Sequence, residues 1–325
     1  MKKPIIILTG PTAVGKTALS IELAKRIDGA IISADSMQVY RYMDIGSAKV
    51  TREEMQGIPH YLIDEFLPEE EFHVVKFQEY AKRYLEKIYA DGQIPIIAGG
   101  TGFYIQALLY DIDFTKQECD SAYRKALEKL AAEKGSVFLH EMLKERDAKA
   151  AEAIHPNNIK RIIRALEFYE ESGGKLISEH NEKERAKESP YNFAYFVLND
   201  KREKLYERIN FRVDLMLEQG LVEEVRRLSE MGYTKDMVSM QGLGYKEILR
   251  YLEGELTLEE AVYILKRDTR HFAKRQLTWF KRERDVIWLE KDKFSYQENA
   301  ILSSILETLK ERHIISSERF KKECL

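Results

Sequence analysis

The chain has 325 residues, 44% of them hydrophobic and 33% charged, and its 52 basic and 55 acidic side chains leave a formal net charge of −3. That length accommodates one large or two modest domains with a full core, and the composition excludes a disordered or membrane-embedded chain. With the charge so nearly balanced, global electrostatics predicts no polyanionic partner, and any such claim rests on local clusters.

The elements follow in chain order. Residues 5–8 are a short apolar, β-branched run and predict a buried strand. The run leads into Gly10, Pro11, Thr12, Ala13, Val14, Gly15, Lys16 and Thr17, a full match to G-x-x-x-x-G-K-[ST], and helix formers continue from Ala18. Residues 30–35 predict a second strand ending on Asp35. A loop-rich stretch spans 36–72, with Gly46, Gly57, Pro59 and Pro68. Val74, Phe77, Ala81, Leu85 and Ile88 lie at helical spacing over 74–90, and Gly92 closes that helix. A third strand starts at Ile94 and runs into Gly99, Gly100 and Gly102. Such alternation predicts an α/β fold: a P-loop parallel sheet flanked by helices, with its site at the carboxyl ends of the strands.

The pattern changes near residue 115. Residues 120–172 read as helical and charge-rich, followed by Gly173, Gly174 and a polar stretch to Pro190, and a strand returns at 191–198. An all-helical insertion domain over 116–189 is therefore expected to interrupt a catalytic core formed by 1–115 and 190–312. Helices are predicted at 202–218, 221–231, 244–253, 257–284 and 294–311, with a last strand at 286–289 and a polar tail over 313–325. Cys119 and Cys324 lack metal-ligand spacing and fit a reducing compartment. The N-terminal run is too short for a signal peptide and no stretch approaches a membrane span, so a cytoplasmic protein with no membrane partner is expected.

The loop at 10–17 turns successive backbone N–H groups inward at a helix N-terminus, which favours an anion. Lys16 adds a point charge and the Thr17 hydroxyl is a candidate Mg2+ ligand. The plainer reading, a glycine turn with a solvated lysine, explains the match less well because the motif sits between a strand and a helix. Asp35 is either a turn cap or a carboxylate base facing the cradle. Gln38 has an amide suited to adenine or to a surface. Thr101 is either a turn residue or a group positioned beside Asp35. The third strand lacks the carboxylate that many nucleotide hydrolases place there, and no guanine-reading motif is present. Two basic segments remain. Lys160, Arg161 and Arg164 share a face of a helix that starts after Pro156, and Ile162 and Ile163 fall elsewhere. At 100° per residue, Arg267, Arg270, His271, Lys274, Lys281 and Arg282 form a stripe opposite Leu265, Phe272, Gln276 and Trp279. Solvated faces mix both signs more than this stripe does, which favours contact with a phosphate backbone.

Together these motifs resemble the bacterial-type tRNA dimethylallyltransferase (tRNA isopentenyltransferase) family. The residues that carry the likeness are 10–17, Asp35-Ser-Met-Gln-Val-Tyr40, Met43-Asp-Ile-Gly-Ser-Ala-Lys49 and Gly57-Ile-Pro-His-Tyr-Leu62. They continue with Gly99-Gly-Thr-Gly-Phe-Tyr104, His155-Pro-Asn157, Arg161-Ile-Ile-Arg-Ala-Leu-Glu167, Gly242-Leu-Gly-Tyr-Lys246 and residues 269–279. Lys160 stands where Gln is more usual, and Gln241 where some members carry Arg. The resemblance implies transfer of a dimethylallyl group from dimethylallyl diphosphate to N6 of adenine 37, beside the anticodon of tRNA. It implies that Gly10 to Thr17 bind diphosphate, with Thr17 on Mg2+. Asp35, Thr101 and Arg212 would be catalytic. Asp35, Ser36, Met37, Gln38, Thr101, Arg124, Lys160, Arg161, Ile162, Ile163, Arg164, Gln241, Gly242, Leu243, Gly244, Tyr245 and Lys246 fall in segments that meet tRNA. The basic stripe adds Arg270, His271 and Lys274 to that set. A monomer is expected, with the insertion meeting the anticodon stem-loop. The alternatives are a P-loop small-molecule kinase, which would use Lys16, Thr17 and Asp35 similarly, and a non-catalytic RNA-binding nucleotide switch.

Overall fold

The computed structural model describes residues 2–114 and 121–316. The chain divides into two compact units, Met1–Leu109 with Pro190–Leu325, and Tyr110–Ser189. Cys119, Cys324 and the end of the polar tail lie outside the described residues.

The larger unit is built on a sheet in which every pairing is parallel. Strand β1 (Pro4–Thr9) passes through the cradle into α1 (Lys16–Ile27), and β2 (Gly29–Ala34) follows. A two-residue strand β3 (His60–Tyr61) forms inside the expected loop region, where Ile31 and Ile32 of β2 hold it in register. Helix α2 (Val74–Ala90) leads to β4 (Ile94–Gly99) and α3 (Gly102–Leu109). The near-continuous apolar runs of β1, β2 and β4 are what a sheet covered on both faces requires. Side chains such as Ile6, Leu8, Ile32 and Ile96 are fully buried.

The smaller unit contains α4 (Ser121–Lys134), α5 (Ser136–Arg146), α6 (Ala148–Ala153), α7 (Ile159–Glu171) and α8 (Ile177–Ala186). The polar stretch after Gly174 therefore contains a helix that the sequence does not announce. Its first turn is anchored from outside: the buried Asp147 carboxylate accepts from Ser178 N at 3.0 Å and from Ser178 Oγ at 2.7 Å. As expected, α7 starts after Pro156, capped by the Asn158 side chain on Arg161 N.

Back in the larger unit, β5 (Asn192–Asn199), α9 (Arg202–Glu218), α10 (Leu221–Glu230), α11 (Tyr245–Leu252), α12 (Leu258–Phe280), β6 (Val286–Glu290) and α13 (Glu298–Glu311) complete the fold. Two boundaries differ from expectation: α12 stops at Phe280, and a 3-10 turn at Lys291–Phe294 precedes α13. The strand order is β3-β2-β4-β1-β5-β6. The chain thus leaves central β1 toward β2 on one side and finds β5 on the other, the place where open parallel sheets form a ligand crevice at their carboxyl ends. The P-loop sits there, and the expected fold class holds. Among the described residues no helix is long and apolar enough to cross a membrane.

Candidate active site

Two cavities adjoin at the carboxyl ends of β1, β2 and β4, one of about 420 Å³ and one of about 100 Å³. They share Thr12, Asp35, Ser47, Gly100, Arg212, Phe272 and Gln276. The smaller is polar, with Lys16, Thr17, Ser20, Ser33 and Gln38 in its wall. The larger adds apolar side chains, among them Tyr40, Tyr104, Val213, Met216 and Leu265. The arrangement is therefore amphipathic, with a charged end and a fatty end meeting at Asp35.

In the cradle, Gly10, Ala13 and Gly15 hold φ at 150°, 64° and 100°. The left-handed Ala13 is strain of the sort that clusters at ligand sites. Lys16 Nζ donates to Pro11 O at 2.8 Å. Burial and then the neighbouring Arg212 push the Lys16 ammonium down to about 7, against the pull of Asp35. Burial also lowers Arg212, opposed by Asp35 and Glu54, though a guanidinium stays charged. A buried ammonium that a neighbouring guanidinium destabilises, with a carboxylate nearby, makes a site that a polyanion would relieve.

Asp35 caps a turn and also lines the cavities. Its Oδ1 accepts from Met37 N at 2.8 Å and from Gln38 N at 3.3 Å, which caps the turn. Among the described residues Oδ2 has no donor, and Asp35 lines both cavities. Thr101 lines the larger one and immediately precedes α3, its N–H donating to Ala34 O at 3.1 Å. Arg212 projects from α9 and donates from Nη1 to Thr12 Oγ1 at 3.5 Å.

Several residues expected to meet RNA have partners within the protein. Gln38 holds its amide locally, donating to Ala48 O at 3.1 Å and accepting from Ser33 Oγ at 3.4 Å, in the wall of the smaller cavity. Ile162 and Ile163 are buried in the core of the smaller unit, and Gly244 and Tyr245 are buried in the larger one. The side chains of Ile162, Ile163 and Tyr245 are thus buried in protein. The Tyr245 hydroxyl donates to Glu224 at 2.8 Å, and Ser47 N donates to it at 3.1 Å. Arg124 forms a two-pronged pair with the fully buried Glu167, both contacts at 2.7 Å, which is an anchor for α4 on α7. The stripe on α12 is less uniform than its spacing suggests. Arg267 bonds Asp268 at 2.8 Å, Arg270 donates to Asn210 Oδ1 at 2.6 Å, and Lys281 and Arg282 lie beyond the helix end. His271 and Lys274 are exposed, as are Lys160 and Arg161, while Arg164 is half-buried.

Other residues meet at the rim of the larger cavity: Ser36 and Met37 with Gln241, Gly242, Leu243 and Lys246. Gln241 bonds Lys235 O, and Lys246 lies 3.4 Å from Glu247. The sequence reading missed Gln276, Phe272, Thr269, Met216 and Tyr104, all in the cavity wall. Their helical spacing is indistinguishable from that of core residues. The one visible signal was an amide, Gln276, on an otherwise apolar face.

A P-loop cradle that opens into a half-apolar cleft, with one carboxylate at the junction, suits an α/β transferase. The chain belongs to the IPP transferase family, whose model matches residues 38–283. It is 63% identical over 313 residues to the tRNA dimethylallyltransferase of Lachnoclostridium phytofermentans, covering 96% of this chain and 99% of that one. The tRNA dimethylallyltransferase of Acetivibrio thermocellus is 56% identical over 297 residues, covering 91% and 95%. Among solved structures, the full-length tRNA isopentenylpyrophosphate transferase of Bacillus halodurans matches with a TM-score of 0.72 at 44% identity, covering 96% of this chain and 98% of that one. A eukaryotic dimethylallyltransferase acting on tRNA matches with a TM-score of 0.81 at 30% identity, covering 98% and 82%.

Proposed function

We propose that this chain transfers the dimethylallyl group of dimethylallyl diphosphate to N6 of adenine 37 of tRNA, releasing diphosphate. The observation that carries the reading is the junction at Asp35: a free carboxylate oxygen stands between a cationic cradle and an apolar cleft. The N6 lone pair attacks C1 of the allyl group, the C1–O bond breaks, and its electrons leave with the diphosphate. The N6 proton passes to Asp35 Oδ2, while Oδ1 stays fixed by the turn. Lys16, Arg212 and the cradle N–H groups take up the charge on the leaving group, the Thr101 side chain orients the amine, and the apolar wall holds the prenyl tail away from water. Holding a weak nucleophile in line with its target is the main help such a site gives.

The residues fit a divalent cation that arrives with the diphosphate. Thr17 is exposed in the same cavity as Asp35, and among the described residues there is no group of three His, Cys, Asp or Glu side chains to cage a metal. Mg2+ suits that arrangement, since it keeps water and takes few protein ligands beside phosphate oxygens. Bound with Thr17, it supplies further positive charge on the departing diphosphate. Exposed Lys160, Arg161, His271 and Lys274, with Arg164 and Arg270, supply backbone contacts to the anticodon stem-loop, which offset the few kcal/mol of unstacking an adenine. The chain acts as a monomer in the cytoplasm. The kinase alternative finds no support among the relatives. The test is incubation with labelled dimethylallyl diphosphate, Mg2+ and unmodified tRNA without ATP. Label in the RNA is the expected result, and a requirement for ATP would overturn the reading.

A further inference from the structure

Gln276 of α12 is 6% exposed and spends both ends of its amide on two different loops of the site. Its Oε1 accepts from Thr12 N in the cradle at 2.9 Å, and its Nε2 donates to Gly100 O at 2.9 Å. Gly100 and Gly102 flank Thr101, and both leave room for α12. A Cβ on Gly100 would lie 2.2 Å from Gln276 Nε2, and one on Gly102 would lie 2.2 Å from Trp279 Cδ1. Thr101 itself bonds back to Ala34, the residue before Asp35, at 3.1 Å. One buried amide therefore ties the phosphate cradle to the turn that carries Thr101, and that turn to the strand end that carries Asp35. The same bond withdraws Thr12 N–H from the anion nest and leaves Thr12 its hydroxyl.

We propose that Gln276 is a positioning residue of the transfer reaction, fixing the donor cradle against the Thr101 turn that orients the acceptor amine. The role rests on the transfer reading above. It needs no contact with either substrate. A short polar side chain facing neither loop would serve packing alone, whereas an amide accepts from Thr12 through one atom and donates to Gly100 through the other.

Two variants test it. Gln276→Met keeps the volume and removes both bonds. Its single-turnover rate is expected to fall about 100-fold, as for a small misplacement of reacting groups, while tRNA affinity stays close to wild type and melting stays cooperative at a lower temperature, since two backbone groups lose their partner. Gln276→Glu keeps the acceptor for Thr12 but sets a carboxylate against the Gly100 carbonyl. Once protonated, its acid group donates as the amide does, so its rate relative to wild type is expected to rise as pH falls. A purely packing role predicts no such pH trend. A Gln276→Met enzyme with the wild-type rate, or a Gln276→Glu ratio that is flat with pH, would overturn the proposal. Should Gln276→Met fail to melt cooperatively, the Gln276→Glu profile alone decides. A wild-type chain that moves no label into tRNA fails the transfer reading itself, which is a separate result.

Discussion

Asp35 divides its labour between its two oxygens, and substitutions can separate them. Asp35→Asn keeps an acceptor for Met37 N and Gln38 N but loses the base. Asp35→Ala loses both. Turnover is expected to drop by about 10²–10⁴ in either variant, with tRNA affinity unchanged. Only the alanine variant should also lose stability, by about 1 kcal/mol in urea unfolding. Equal stability of the two would remove the capping role. Lys16 carries a second prediction. Its ammonium is pushed down to about 7 by burial and then by Arg212, and a bound diphosphate favours the charged form. Below pH 7 the lysine already holds its proton, so binding gains nothing from it. Above that pH, binding takes up a proton, and affinity for inorganic diphosphate should fall with rising pH by up to about tenfold per unit. Calorimetric titration across that range checks this, with Lys16→Met as the reference that carries only the titration of diphosphate itself. An identical slope in both proteins would contradict it.

At the scale of elements, the loop after β2 is shaped from a distance. The buried Glu224 carboxylate on α10 accepts from Asp44 N at 3.0 Å, Ile45 N at 2.8 Å and Gly46 N at 3.0 Å, as well as from the Tyr245 hydroxyl. Three successive backbone donors around one carboxylate are charge-assisted and buried, so Glu224→Ala should cost about 3 kcal/mol or more in urea unfolding. Loss of transfer activity at temperatures where the variant remains folded would follow, since Gly46 and Ser47 line the larger cavity. None of this was legible in the sequence. The motif around Gly46 and the one around Tyr245 were each visible, but their spacing says nothing of a carboxylate twenty residues upstream that joins them. The strands and α2 were legible because burial on both sheet faces, or on one helix face, writes a period into the residues. Helix α8 was not, because a tertiary contact from Asp147 holds its start. Helix α12 was half legible. Its apolar face was visible, but a cavity wall and a core write the same apolar spacing.

For the whole molecule, a net charge of −3 hides a site whose interior is cationic. Asp35, Thr101 and the cradle came together because parallel strands deliver their carboxyl ends to one edge, and all three follow strand ends. Arg212 had no such logic, and the family resemblance alone pointed to it. Exposed basic side chains outside the cavity are expected to act on RNA through phosphate charge. Lys274→Ala, and separately Lys160→Ala with Arg161→Ala, should weaken tRNA binding and reduce the log–log salt slope by about one for each cation removed, leaving diphosphate affinity intact. A loss of diphosphate affinity would instead assign those cations to the donor site. The central claim is that the cradle holds a leaving group while Asp35 takes the amine proton. Its most direct measurement is a stoichiometric count without ATP of diphosphate released and adenine modified in one turnover, on the wild-type chain and on Asp35→Asn. The account predicts one diphosphate per modified adenine for the wild type, and neither product at a comparable rate from Asp35→Asn, although that variant still binds diphosphate. Wild-type turnover by Asp35→Asn, or modification without matching diphosphate release, would contradict it.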